Sequence, residues 1–167
     1  MRVIVCDTGP ILHLQEAELL KLLKKAGKIY IPQMVDMEMS ELHPQWKKHK
    51  PEWINTKALM PDEIKSAESL FLSGILDFGE AEAIILAKRL KPEWFLTDDA
   101  EARTLANSLG MEVHGSLGIV LWSAAVGNMN YKESKDALER LSKTSLWISE
   151  NILSEAERAL KNMFEMN

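Results

Sequence analysis

Apolar residues along this chain come in short solid runs and in helical stripes, and the two patterns take turns. Residues 2–6, RVIVC, form a nearly unbroken run of β-formers, as expected of a strand covered on both faces. Ile11, Leu12, Leu14, Leu19, Leu20, Leu22 and Leu23 follow at helical spacing, with Pro10 in a first turn where its missing N–H does no harm. The pattern then predicts a strand over 28–31 ended by Pro32, a helix over 33–42, and an aperiodic surface loop over 43–51 carrying two prolines. Beyond it come an edge strand within 53–59, a helix over 61–73, a strongly apolar helix over 78–90, and a core strand over 94–97. A helix over 99–109 closed by Gly110, a short strand over 111–114, and helices near 117–126, 131–141 and 154–164 complete the set.

Strands separated by helices predict an α/β fold: a single domain with a central parallel sheet of four to five strands flanked by helices, and 131–167 as a C-terminal helical extension. In such sheets ligands bind outside the carboxyl ends of the strands. Asp7 ends the first strand, and Asp98 and Asp99 end the strand over 94–97, so acids distant in sequence are expected at one edge. Helix phase adds two more. At 100° per residue Glu38 shares its side with Met34, Val35 and Leu42, while Asp36 and Ser40 fall opposite. Glu80 shares its side with Ala83, Ile84 and Ala87, while Glu82 and Arg89 align on the polar face.

Any one of these acids has an ordinary structural reading: Asp7 as a helix cap, Asp98 with Glu101 at capping-box spacing, Glu38 paired with a basic group. Together they form a patch of like charge that is hard to bury without a divalent cation. All-oxygen ligation suits Mg²⁺ or Mn²⁺ better than zinc, and the matching reaction is phosphodiester hydrolysis. The chain carries a formal charge of -5, which offers no general attraction to nucleic acid; bound metal would attract phosphate locally. One cysteine, Cys6, rules out an intramolecular disulfide framework, and no apolar run is long enough for a membrane span. A cytoplasmic location without membrane attachment is expected.

Other signals are weaker. Asp7-Thr8-Gly9 has the form of an aspartic-protease triplet, but such enzymes need two copies on a β-rich fold. His43, His49 and His114 lack zinc-protease spacing, and His13 lies within the first helix, so all read as surface or core-edge residues. Lys47, Lys48 and Lys50, with Trp46 and Trp53, either steer and stack single-stranded RNA or form a solvated loop. Arg103, one helical turn behind Asp99, either screens the acids, touches a phosphate, or forms a structural ion pair. Trp122, Met129, Trp147, Met163, Phe164 and Met166 are expected mostly in the core, with Leu160, Met163 and Phe164 able to serve a second subunit instead if the last helix projects.

Several stretches together resemble the PIN-domain nucleases: Val3-Ile4-Val5-Cys6-Asp7-Thr8, the Ile31-Pro32 junction leading to Glu38, Leu76-Asp77-Phe78-Gly79-Glu80-Ala81-Glu82-Ala83-Ile84, and Leu96-Thr97-Asp98-Asp99 followed by Ala102-Arg103. The Gly-Glu-Ala-Glu-Ala run, Gly115-Ser116-Leu117-Gly118 and Trp147-Ile148-Ser149 resemble one prokaryotic branch of that family, over residues 2–155. The resemblance implies a ribonuclease acting on single-stranded RNA, with Asp7, Glu38, Glu80, Asp98 and Asp99 holding Mg²⁺ or Mn²⁺ and Thr8 as a hydroxyl beside the first acid. Asp77 is either a further ligand or an acid just ahead of its helix. It also implies a toxin neutralised by a small antitoxin protein, and a homodimer. The alternative is a non-catalytic RNA- or protein-binding module that retains the fold.

Overall fold

A computed structural model describes residues 1–166 of the chain. Among these, five strands run parallel: β1 (Val3–Cys6), β2 (Lys28–Pro32), β3 (Ile54–Lys57), β4 (Trp94–Leu96) and β5 (Val113–His114). Their order in the sheet is β3-β2-β1-β4-β5. The chain starts at the centre, builds outward through β2 and β3, then returns to the other side of β1. The direction of winding therefore reverses between β1 and β4, and a crevice opens at the carboxyl ends of that pair.

The helices between are α1 (Thr8–Glu16), α2 (Lys21–Ala26), α3 (Gln33–Leu42), α4 (Trp46–His49), α5 (Pro61–Leu72), α6 (Phe78–Leu90), α7 (Ala100–Ser108), α8 (Ser116–Ala125), α9 (Tyr131–Ser142) and α10 (Glu150–Glu165). Successive strand residues point to opposite faces, so the sheet sorts its own core. Ile4, Cys6, Ile29, Ile31, Trp94 and Leu96 pack with α1, α2, α3, α8, α9 and α10. Val5 and Phe95 pack on the other face with α5, α6 and α7. Ala137, Leu138, Leu141, Ala156 and Leu160 join the first of these clusters, so α9 and α10 share its core rather than projecting from it. No helix among the described residues is long and apolar enough to cross a membrane.

The fold departs from the sequence reading at six places. The stripe from Ile11 to Leu23 is two helices, not one: Glu18 takes φ 60° between them, and both halves still face the same core. The stretch 43–51 contains α4, whose Trp46 is only 3 % exposed and donates its Nε1–H to Asp36 Oδ1 at 2.7 Å. Glu82, placed on a polar face by helix phase, is buried because α6 packs against both α3 and α5. Its carboxylate accepts from Met34 N at 3.2 Å. That bond caps α3, whose own N-cap, Pro32, offers no side-chain acceptor. Leu42 is exposed rather than inward, and Trp147 and Met166 lie at the surface rather than in the core.

Trp46 decides between a solvated loop and a structural one. Trp46→Ala removes a buried indole and its bond to Asp36, so a loss of about 3–5 kcal/mol in unfolding free energy is expected by chemical denaturation. A variant as stable as the parent would mean that 43–51 is surface loop after all.

Candidate active site

Asp7 and Thr97 meet because the β1–β4 register pairs Cys6 with Leu96, the residues just before them. Asp7 N donates to Leu96 O at 2.9 Å, continuing the ladder up to the acid. The Asp7 carboxylate is almost fully buried. Its Oδ1 accepts from Thr8 N at 2.7 Å and its Oδ2 accepts from the Thr97 hydroxyl at 3.0 Å. The same Thr97 oxygen accepts from Asp99 N at 3.2 Å, and Asp99 Oδ2 caps α7 by accepting from Ala102 N at 2.8 Å. One buried threonine thus links the acids at the ends of the two central strands.

The other acids arrive on α3 and α6. Glu38 is half-buried; its Oε2 accepts from the Thr8 hydroxyl, and its Oε1 accepts from Gly79 N at 3.1 Å. Gly79 is required by that approach, since a Cβ there would overlap the Glu38 carboxylate. Asp77 and Glu80 form a capping box: Asp77 Oδ1 accepts from Glu80 N at 2.7 Å, and Glu80 Oε2 accepts from Asp77 N at 2.9 Å.

Asp98 is built differently from its neighbour. Its Oδ1 accepts from Ser116 N at 2.7 Å, and its Oδ2 meets both the Ser116 hydroxyl at 2.5 Å and His13 Nδ1 at 2.6 Å. Both oxygens are committed to holding α8 and His13. Arg103 donates to Thr97 O at 3.3 Å and forms no ion pair among the described residues, so the structural ion pair is not the arrangement found. Lys47 and Lys50 line a separate cleft with Asp36 and Trp46, and Lys50 Nζ pairs with Asp36 Oδ1 at 3.2 Å. Lys48 is exposed nearby in α4, and the buried Trp46 has no face free for stacking.

Asp7, Thr8, Glu38, Asp77, Glu80 and Asp99 line an open cleft of ≈ 390 Å³, joined by His13, Asp98 and the segment Ser145–Trp147. No lysine or arginine lines it. Burial raises the Asp7 carboxyl well above the usual range, and repulsion from Glu80 and Asp77 adds to it. Burial also raises Glu38, with Asp77 repelling it. Glu80 is raised from 4.5 to about 7 by burial first, and then by the charges of Asp77 and Asp99. What holds the patch together is that α1, α6, α7 and α8 all direct their first N–H groups at these acids, through the caps by Asp7, Asp77, Asp99 and Asp98.

Among the described residues no group of three or more His, Cys, Asp or Glu side chains is already gathered so as to hold a metal ion. The donor chemistry is nonetheless that of a hard-cation site: buried carboxylates, no thiolate, and no basic side chain bound to Asp7, Glu38, Glu80 or Asp99. Among the described residues no N–H group or hydroxyl donates to Asp99 Oδ1, Asp77 Oδ2 or Glu80 Oε1, and the Asp77 and Glu80 carboxyls also meet each other.

Thr97, Glu82 and His13 were not singled out by sequence reasoning. Thr97 could have been, since it is the last residue of the predicted strand, one step before two acids. Glu82 and His13 carry no comparable signal, because their partners, Met34 and Asp98, lie far away in sequence.

A family model described as a PIN domain matches residues 3–162 of the chain. No curated protein matches it.

The raised carboxyls set the sign of the pH dependence. A group whose folded pKa exceeds its unfolded value binds more protons in the native state, so its stabilising share is present at low pH and lost as pH rises through the folded value. For Glu80 that window runs from 4.5 to about 7. In chelator, raising the pH across this window should lower the thermal midpoint of the parent more than that of Glu80→Gln. Parallel curves for the two proteins would contradict the assigned shift.

Proposed function

The chain belongs to the PIN-domain family, and on that footing we propose that it is a Mg²⁺- or Mn²⁺-dependent endoribonuclease that hydrolyses phosphodiester bonds of single-stranded RNA. Members of this family are generally hydrolytic nucleases that depend on a divalent metal. The observation that carries the proposal is the convergence, at the carboxyl edge of β1 and β4, of carboxylates in a cleft that no lysine or arginine lines.

Asp7, Glu38, Glu80 and Asp99 are the residues that would hold the metal, with Asp77 lining the same cleft. Bound there, a divalent ion would polarise a phosphoryl oxygen and lower the pKa of the attacking water. The remaining residues act on position. Thr97 fixes Asp7 and the backbone of Asp99, Thr8 and Gly79 fix Glu38, and Asp77 fixes the backbone turn that carries Glu80. Asp98 orients His13 toward the cleft it lines and anchors α8. No side-chain nucleophile is needed, because water attacks phosphorus and the leaving sugar oxygen takes a proton. A small antitoxin protein and a homodimer belong to the same proposal and rest on the family resemblance alone.

A second reading, a non-catalytic RNA- or protein-binding module, draws on the absence of a gathered ligand set among the described residues. Cleavage separates the two. With Mn²⁺ the purified protein should cut single-stranded RNA, and excess chelator should abolish the activity. Asp7→Asn should lower the rate by at least about a hundredfold, and Thr97→Val, which removes only the supporting hydroxyl, by about tenfold. Metal-independent cutting, or an Asp7→Asn protein as active as the parent, would sink the ribonuclease reading.

A further inference from the structure

The segment joining α9 to α10 contributes Ser145, Leu146 and Trp147 to the wall of the acidic cleft, held in a fixed alternation. Ser145 N and Oγ donate to the two carboxylate oxygens of Glu16 at 2.8 and 2.6 Å. Leu146 and Ile148 pack against the core. Between them, Trp147 is 83 % exposed, and no described ring or cation packs on it. Anchors on both sides hold the backbone, so this indole is displayed from a fastened strap. Displaying so much apolar surface is unfavourable unless something covers it.

Trp147 also borders a second cleft of ≈ 460 Å³, which shares Asp98, Leu146 and Trp147 with the acidic one. Its other walls include Leu117 and Leu121 on α8, Ile152 on α10 and the His114 ring, and its charged members are Arg103 and the shared Asp98. Beyond its bond to Thr97 O, the Arg103 guanidinium has no described partner and no carboxylate. An exposed flat ring, an apolar wall and a free guanidinium beside a cleft suited to phosphate chemistry are the three parts of a single-strand nucleotide subsite.

We propose that Trp147 and Arg103 form such a subsite, binding a nucleobase and a phosphate of the RNA strand next to the one held at the acids. The choice of ligand rests on the ribonuclease reading. Continuity favours a strand: one extended ligand can pass from the acidic cleft over the shared indole into the second cleft. Charge favours it too, since the guanidinium supplies the phosphate attraction that the acidic cleft lacks until metal is bound. Trp147 stacks on a base, and Arg103 pairs with the backbone.

The test uses a fluorescein-labelled phosphorothioate RNA of about 12 nucleotides, which resists hydrolysis with Mg²⁺, titrated in Mg²⁺ buffer and followed by anisotropy. Trp147→Ala should weaken binding on the order of tenfold, and Trp147→Phe should recover it to within about threefold, because a flat ring is what the base needs. Arg103→Gln should flatten the slope of log K against log salt by about 0.7, one phosphate contact on a single strand. Binding unchanged in Trp147→Ala would overturn the proposal. So would unchanged RNA affinity together with a changed oligomeric state by light scattering, which would assign the indole to a protein interface. No binding by the parent would also overturn it. If the parent binds the strand and shows the expected Trp147 losses yet never cuts unmodified RNA, the subsite stands and the ribonuclease reading falls. If the parent cuts RNA and Trp147→Ala matches it in KM, the subsite alone falls.

Discussion

Everything at the carboxyl edge depends on the bond from the Thr97 hydroxyl to Asp7. It closes the β1–β4 ladder just beyond its last paired residues, inside a region where neither side chain meets appreciable solvent. Through the same oxygen it holds the backbone of Asp99, so the ends of both central strands are tied at one point. From Asp7 the next residue reaches Glu38, Glu38 reaches the α6 turn at Gly79, and that turn carries Glu80. A chain of neighbouring bonds thus collects carboxylates from four segments that share no sequence neighbourhood.

Collecting them is unfavourable electrostatically, and the fold offsets this in a specific way. Each acid near the cleft serves the start of a helix or a backbone N–H: Asp7 at α1, Asp77 and Glu80 at α6, Asp99 at α7, Asp98 at α8, Glu38 at Gly79. Helix N-termini carry positive partial charge, so the caps favour the ionised forms that burial disfavours. For Asp7, Glu38 and Glu80 burial still prevails, and their carboxyls stay above the usual range. Capping and ligation do not compete at Asp77, Glu80 and Asp99, whereas both oxygens of Asp7 and of Glu38 already accept hydrogen bonds. A cap needs one oxygen, and Asp77, Glu80 and Asp99 each keep another without a described donor.

Much of this was legible in the sequence. Helix periodicity returned the bounds of α3 and α6 as the structure has them, and solid apolar runs marked the end of β1 and, one residue late, that of β4, which is why Asp7, Asp98 and Asp99 could be placed at an edge. Inference from phase failed where its premise failed. It assumes one buried face per helix, but α6 is packed by α3 as well as α5, and Glu82 went inside with the apolar residues. Trp46 was hidden in an aperiodic, proline-flanked stretch whose single helical turn is too short to show a period. Trp147 sits in a segment without helix or strand, where only contacts with distant residues such as Glu16 decide which side faces out.

The central claim is that the carboxyls gathered at this edge can take up a divalent cation, which favours the ionised forms that burial disfavours. If so, binding a cation near neutral pH must expel protons, because ligands to a metal are deprotonated. Calorimetric titration of Mn²⁺ into the protein at pH 7, repeated in buffers of different ionisation enthalpy, measures that release directly. The account predicts saturable binding with measurable proton release, given Glu80 raised to about 7 and an Asp7 carboxyl raised well above its ordinary range. Saturable binding with no proton released, or no binding at millimolar Mn²⁺, would contradict it.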